Sequence, residues 1–311
     1  MEGIIRDGHG ADQFMGYCPF CGKPMLFTEE KAAATKACPI CTAPISFAER
    51  PNVGNGAPGY EIIPACEGES FLRDGFAVEN GLLLRYEGET SSIVTPSGVV
   101  AIAPNAFREN KKIKSVVLSE GVKFIGNEAF YGCEGIRQLR LPQSLVSIGN
   151  AAFSHCRRLS IVTLPEGLRA GGYAIFHTCE NLTELLMPME MTFLGGSPYG
   201  FCKKLRVANI PHCVRDTGPA WFQYNDALET LTVGRSVNAL SCPSQVLREV
   251  HFHHTEGWQT LSFSFGEQET SIPESELKNP KSAATLLRKL DRTGKTLYRP
   301  DAPGEEYWLV L

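Results

Sequence analysis

The sequence predicts a repeat solenoid, mainly β with short turns and helices, preceded by a small cysteine-rich module. Two observations carry the solenoid. Aromatic residues stand at Phe107, Phe130, Phe153, Phe176, Tyr199 and Phe222, each 23 positions after the last. Cysteines keep the same interval at Cys133, Cys156, Cys179 and Cys202, with Asn110 and Asn225 in register at the two ends. A fixed period of roughly 20–50 residues marks units that bury their apolar faces only against their neighbours. The third observation, a pair of C-x2-C motifs near the amino terminus, carries the module.

The module spans 1–50. Cys18-Pro-Phe-Cys21-Gly-Lys-Pro and Cys38-Pro-Ile-Cys41-Thr-Ala-Pro are separated by sixteen residues. Two residues between cysteines let one tight turn present both thiolates to one ion, and two such turns complete a tetrahedral four-sulfur site. A redox reading of C-x-x-C expects a single motif in a βαβ setting, which is absent here. From Tyr17 to Phe47 the pattern resembles a zinc ribbon, with Thr42 standing where the first knuckle has Gly22. The resemblance implies a structural Zn2+ held by Cys18, Cys21, Cys38 and Cys41. Four thiolates leave no open position for a substrate, so the ion folds the module.

Residues 51–75 read as a linker. Pro51 to Gly59, PNVGNGAPG, hold three glycines and two prolines, a composition that predicts a flexible joint between two separate bodies.

The solenoid is placed at 76–258. One unit runs Ile136, Leu139, Leu141-Pro142, Leu145, Ile148-Gly149, Ala152-Phe153, Cys156, and the next repeats it from Leu159 to Cys179. L-x-x-L-x-L alternates in period two, which is a short strand with one buried face. Proline after it ends the ladder because it has no N–H to donate. Glycines at 126, 149, 172, 195 and 218 suit a corner where the backbone turns. The whole pattern, LxxLxLPxxVxxIGxxAFxxC, resembles the BspA-type leucine-rich repeat from Phe76 to Phe252. Phe76 to Tyr86 resembles the hairpin that opens such arrays. The resemblance implies stacked strands on one side, turns on the other, a bacterial source and a binding role. Ala106, Ala129 and Ala152 give way to Ile175, Pro198 and Trp221, and the last strand, Leu247 to Phe252, arrives four residues early, as capping units do.

Residues 259–311 form a carboxyl-terminal cap. Leu261 to Phe265 alternates like one more strand. Asn279-Pro280 starts a helix that runs to about Arg292 and ends at Gly294. Leu286, Leu287 and Leu290 give it an apolar side, and Tyr307 to Leu311 is expected to pack beside it. Arg288, Lys289, Arg292 and Lys295 read as its solvated face.

A net charge of −4 and sparse lysines at 23, 31 and 36 give no reason to expect nucleic acid. No stretch approaches the ~18 apolar residues of a membrane span, so no membrane partner is expected. Met1 to Phe14 lacks a basic start and apolar run, which predicts a cytoplasmic address. The eleven cysteines agree with reduced thiols. Those of the repeat share one inward position and read as packing groups. His251 and His253 share a strand face but lack a third ligand, and no nucleophile elbow, phosphate loop or spaced carboxylates appear.

The outward rows of the strands are the candidate binding face. They hold Val117, Arg140, Ile161, Thr163, Glu184, Leu186, Val207 and Asn209, on eight strands spanning about 35 Å at ~4.8 Å each. Aliphatic residues among polar ones mark a protein-binding surface. The expectation is a non-enzymatic scaffold that binds a protein or peptide on this face. The alternative is a nucleic-acid or regulatory adaptor read by the zinc ribbon, with the solenoid as spacer.

Overall fold

The computed structural model describes residues 5–6, 12–27, 34–50, 59–217, 220–242, 244–262, 270–293, 295–299 and 309–310. Alternation of inward and outward side chains builds the long-strand face. Its parallel strands are Ser92–Val94, Ser115–Val117, Gln138–Arg140, Glu184–Leu185, Val207–Ile210, Thr230–Val233 and Glu249–Phe252. Neighbours pair one period apart, as in Val116 with Leu139 and Ala208 with Leu231. The last step pairs Leu231 with Val250, the early arrival the sequence predicts. One position departs from the expected row of strands. Ile161 makes only isolated bridges to Gln138 and Glu184, so the face divides into a three-stranded and a four-stranded sheet.

Each coil then crosses a second, short-strand face. Leu82–Tyr86, Ala101–Ile102, Phe124–Ile125, Ser147–Ile148, Ala170–Gly171 and Phe193–Leu194 form one parallel run. Leu82–Tyr86 also pairs antiparallel with Phe76–Glu79, which pairs with Phe71–Arg73, so a three-stranded meander opens the stack.

Turns close the third side, and the aromatic period fills the space behind them. Phe107 and Phe130 stack at 4.6 Å, Phe130 and Phe153 at 5.2 Å, Phe153 and Phe176 at 5.4 Å, and Tyr199 and Phe222 at 5.7 Å. Each repeat thiol donates to a carbonyl of the preceding coil: Cys133 to Phe107 at 2.9 Å, Cys156 to Phe130 at 3.3 Å, Cys179 to Phe153 at 3.3 Å and Cys202 to Phe176 at 3.2 Å. A small residue with a weak donor meets both needs of that column.

The glycine column has a different cause from the one the sequence suggests. A side chain at Gly126 would lie 2.4 Å from the Pro104 nitrogen, at Gly149 2.5 Å from that of Asn127, and at Gly172 2.4 Å from that of Asn150. Close approach of adjacent coils excludes a Cβ there. Gly218 lies outside the described residues.

Residues 51–75 are not linker throughout. Gly59–Pro64 pairs antiparallel with Ile45–Arg50 and so joins the module, while Phe71–Arg73 joins the solenoid's opening meander. Ile62, buried in the module, gives the strand an apolar anchor that its Pro/Gly-rich flank conceals. Residues 51–58 lie outside the described residues.

At the carboxyl end, α1 (Glu274–Lys278) precedes α2 (Pro280–Arg292). The Asn279 side chain accepts from the Lys281 and Ser282 amides at 3.1 Å each, as its position before proline predicts. Leu286, Leu287 and Leu290 are buried, α2 packs on Glu249–Phe252, and Arg288 donates to the Leu247 carbonyl. The expected strand is Gln259–Ser262, paired with Lys295–Tyr298; Phe263 and Phe265 lie outside the described residues. Of the segment expected beside the helix, Leu309–Val310 pairs instead in parallel with Pro24–Phe27 of the module, and Tyr307, Trp308 and Leu311 lie outside the described residues. A short apolar strand is drawn to an unpaired sheet edge, and the module offers one.

Candidate metal centre and strand face

Both C-x2-C segments form the same turn. The Gly22 amide donates to the Cys18 carbonyl at 2.9 Å, and the Thr42 amide to that of Cys38 at 2.8 Å. The Cys18 amide reaches the Lys23 carbonyl at 3.0 Å, and that of Cys38 reaches Ala43 at 2.9 Å. Gly22 has φ +70° and Thr42 φ +58°, so Thr42 adopts the left-handed conformation its counterpart reaches without cost. The absence of glycine in the second knuckle therefore leaves its geometry intact.

The four sulfurs lie within 4.8 Å of one another, with Cys18 to Cys41 and Cys21 to Cys38 each at 3.7 Å. Tetrahedral thiolates around zinc at 2.3 Å would stand about 3.8 Å apart. All four residues are buried, so the donor set fits one closed, sulfur-ligated ion. Hydrogen bonds from Cys18, then Cys21 and Cys41, hold Cys38 far below the usual thiol range. Cys21 is pushed up by its bonds to Cys18, Cys38 and Cys41 and by burial. Among the described residues no other cluster of three or more His, Cys, Asp or Glu is placed to hold a metal. His251 sits 3.4 Å from Glu249, and the His253 ring meets His212 edge-on at 4.9 Å.

The module is not a separate body. It lies on the outward side of the short-strand face, burying Ala101, Phe124 and Ala170 in its own core cluster. Phe20 packs on Phe124 at 5.4 Å between ring centroids, and the Lys23 ammonium lies 4.9 Å from the centre of Phe193. The Asn127 amide donates to the Pro19 carbonyl at 2.8 Å. This docking surface escaped sequence reasoning. Its signal was present in the outward column 101, 124, 147, 170 and 193, which reads Ala, Phe, Ser, Ala, Phe where a solvated face would carry charge.

On the long-strand face, Ile161 is 70% exposed, Leu186 48% and Val94 60%. Arg140, Thr163 and Glu184 are exposed beside them, and Val117 and Val207 are half-buried. Asn209 is a correction: it is 4% exposed and unavailable to a partner. Its side chain accepts from the Met187 amide at 2.7 Å and donates to the Met187 carbonyl at 2.7 Å. The strand Glu184–Leu185 has ended by then, so the amide group stands in for a missing rung of the ladder.

A family model described as BspA type leucine rich repeat region matches in six copies, over residues 85–206 and 125–243. A leucine-rich repeat protein of T. pallidum is 25% identical, with 53% of this chain and 85% of that chain covered and a TM-score of 0.49. One from Bacteroides ovatus is 18% identical over 66% of this chain and 51% of its own, with a TM-score of 0.48. One from Eubacterium ventriosum is 23% identical over 53% and 47%, with a TM-score of 0.45. The chain thus spans about half the length of the last two. No curated protein matches the chain.

Proposed function

The chain belongs to the BspA-type leucine-rich repeat family, and on that premise we propose that it is a non-enzymatic, cytoplasmic bacterial scaffold that binds a protein or peptide on its long-strand face. The observation that carries this reading is the pairing of exposed Ile161 and Leu186 with polar Arg140, Thr163 and Glu184 on adjacent coils. An apolar centre with a polar rim is the anatomy of a protein interface. Val117 and Val207 extend the patch, and Asn209 holds its backbone in place. The module acts as a zinc ribbon in this reading. Its four thiolates bind a structural Zn2+, and that closed coordination leaves the ion no vacant position at which to activate a substrate.

Capture of partners from the native cell by wild type and by Ile161→Asp/Leu186→Asp tests the reading. Loss of a stable protein partner in the folded double variant supports it, and recovery of the same partner by both overturns it. The nucleic-acid alternative has little to support it. Lys23 packs over Phe193, Lys31 lies outside the described residues, and the net charge is −4.

A further inference from the structure

The short-strand face is built to be covered, and its cover is the metal module. Ala101 and Ala170 are covered within the module's core cluster, while the directed contacts come from residues 19–23, the loop within and just after the first C-x2-C motif. Pro19 accepts from Asn127, Phe20 meets Phe124, and Lys23 lies over Phe193. Gly22 abuts Asn150 so closely that a Cβ would fall 1.8 Å from its side-chain oxygen. The segment whose shape a bound ion would fix is therefore the segment that docks. Without an ion, the link that joins the two knuckles is gone, and only the module's small core of Phe20, Met25, Phe27, Ile45 and Ile62 is left to hold that shape. The solenoid has its own core, a cluster distinct from that of the module, and does not depend on the ion.

A second observation concerns what lies beneath the cover. Ser147 is buried there, and among the described residues its hydroxyl has no hydrogen-bond partner. Such a group opposes burial while the cover is on, and water satisfies it when the cover is off. The face is thus less committed to permanent burial than the stacked phenylalanines on the far side of the coil.

We infer that metal binding and docking are thermodynamically linked, so that the four-cysteine module is a metal-controlled latch over the short-strand face. It is closed when the ion is bound and open when the ion is withdrawn, with the solenoid folded in both states. The inference rests on the proposed metal site. Linkage is reciprocal: the factor by which the ion favours docking is the factor by which docking favours the ion.

The test uses the full chain and begins with its zinc content. A folded chain that binds no zinc overturns both the metal reading and the latch. With zinc bound, hydrogen exchange is followed at two neighbouring amides as a chelator withdraws the ion. The Asn127 amide, bonded to Pro19, should lose protection at least tenfold. The Asn150 amide, bonded to Asn127 Oδ1 at 2.8 Å within the solenoid, should keep it. Ala170→Arg, which places a charge under the module and leaves the cysteines untouched, should lower zinc affinity at least tenfold in competition with a chromophoric chelator. Phe124→Ala, which removes the solenoid's side of the Phe20 contact, serves the same purpose should Ala170→Arg fail to fold. Unchanged Asn127 protection, loss of protection throughout the solenoid, or undocking variants that bind zinc within twofold of wild type would each overturn the latch alone.

Discussion

Gly22 of the first knuckle sits against Asn150 of the solenoid, where a Cβ would fall 1.8 Å from the Asn150 side-chain oxygen. Thr42, at the equivalent point of the second knuckle, is exposed and bonds its hydroxyl to the Cys41 carbonyl at 2.7 Å. The two positions share one backbone conformation and differ only in what they face. Exchanging their residue types should therefore have unequal effects. Gly22→Ala adds left-handed strain and an overlap, for a loss of about 2–4 kcal/mol in the module's stability. Thr42→Gly trades strain against chain entropy and should stay within about 1 kcal/mol of wild type. Urea unfolding followed at the module distinguishes them, and equal losses would contradict the docking geometry.

Asn209 joins two coils through both backbone groups of Met187. Asn209→Ala leaves a buried amide and a buried carbonyl without partners, at about 1–3 kcal/mol each. Asn209→Asp keeps the acceptor and loses the donor, so it too should be destabilising. Thermal denaturation checks this. A neutral Asn209→Ala would return the residue to the solvent-facing row the sequence assigns it.

The buried thiols make a pH prediction. Burial pushes Cys133, Cys202, Cys213 and Cys242 up from 9.0 to about 12, against small opposing backbone hydrogen bonds. An unfolded chain ionises these thiols from about pH 9 upward while the folded chain keeps the protons. Proton uptake is then greater in the folded state, so stability is full below pH 9 and falls as pH rises toward 12. Urea midpoints at pH 8 and pH 10.5 should show the loss, and Cys133→Ala/Cys202→Ala should show less of it. Native Cys156 and Cys179, fully buried, should resist alkylation that labels them in urea.

Asn279 caps the helix that closes the stack. Asn279→Ala should cost about 1 kcal/mol. Leu287→Ala, beneath the same helix, should cost about 2–5 kcal/mol. Both losses should appear first as faster amide exchange in Pro280–Arg292, since that helix packs at the stack's end.

What the sequence made legible follows from what repeats. Phe107 to Phe222 announce the coil because rings one period apart stack in four pairs, Phe107 to Phe176 in sequence and then Tyr199 on Phe222, so one constraint is written again and again. Asn279-Pro280 announces a helix start because capping is local chemistry. The four cysteines are legible because spacing alone brings them to one point. Module docking was not legible: Phe124 and Phe193 occur in single coils, and their partners Phe20 and Lys23 lie far back in the chain. Asn209 was misplaced because its row predicts solvent, while its use depends on where a neighbouring strand stops. The end strand Leu309–Val310 has no periodicity to name its partner.

The central claim is that the long-strand face receives a protein partner. Hydrogen exchange of the chain with and without its captured partner tests this most directly. The account predicts new protection centred on Gln138–Arg140, Ile161 and Glu184–Leu186, with the turn side unchanged. Protection confined to the cysteine module or to the turns that carry Phe130 and Phe153 would contradict it.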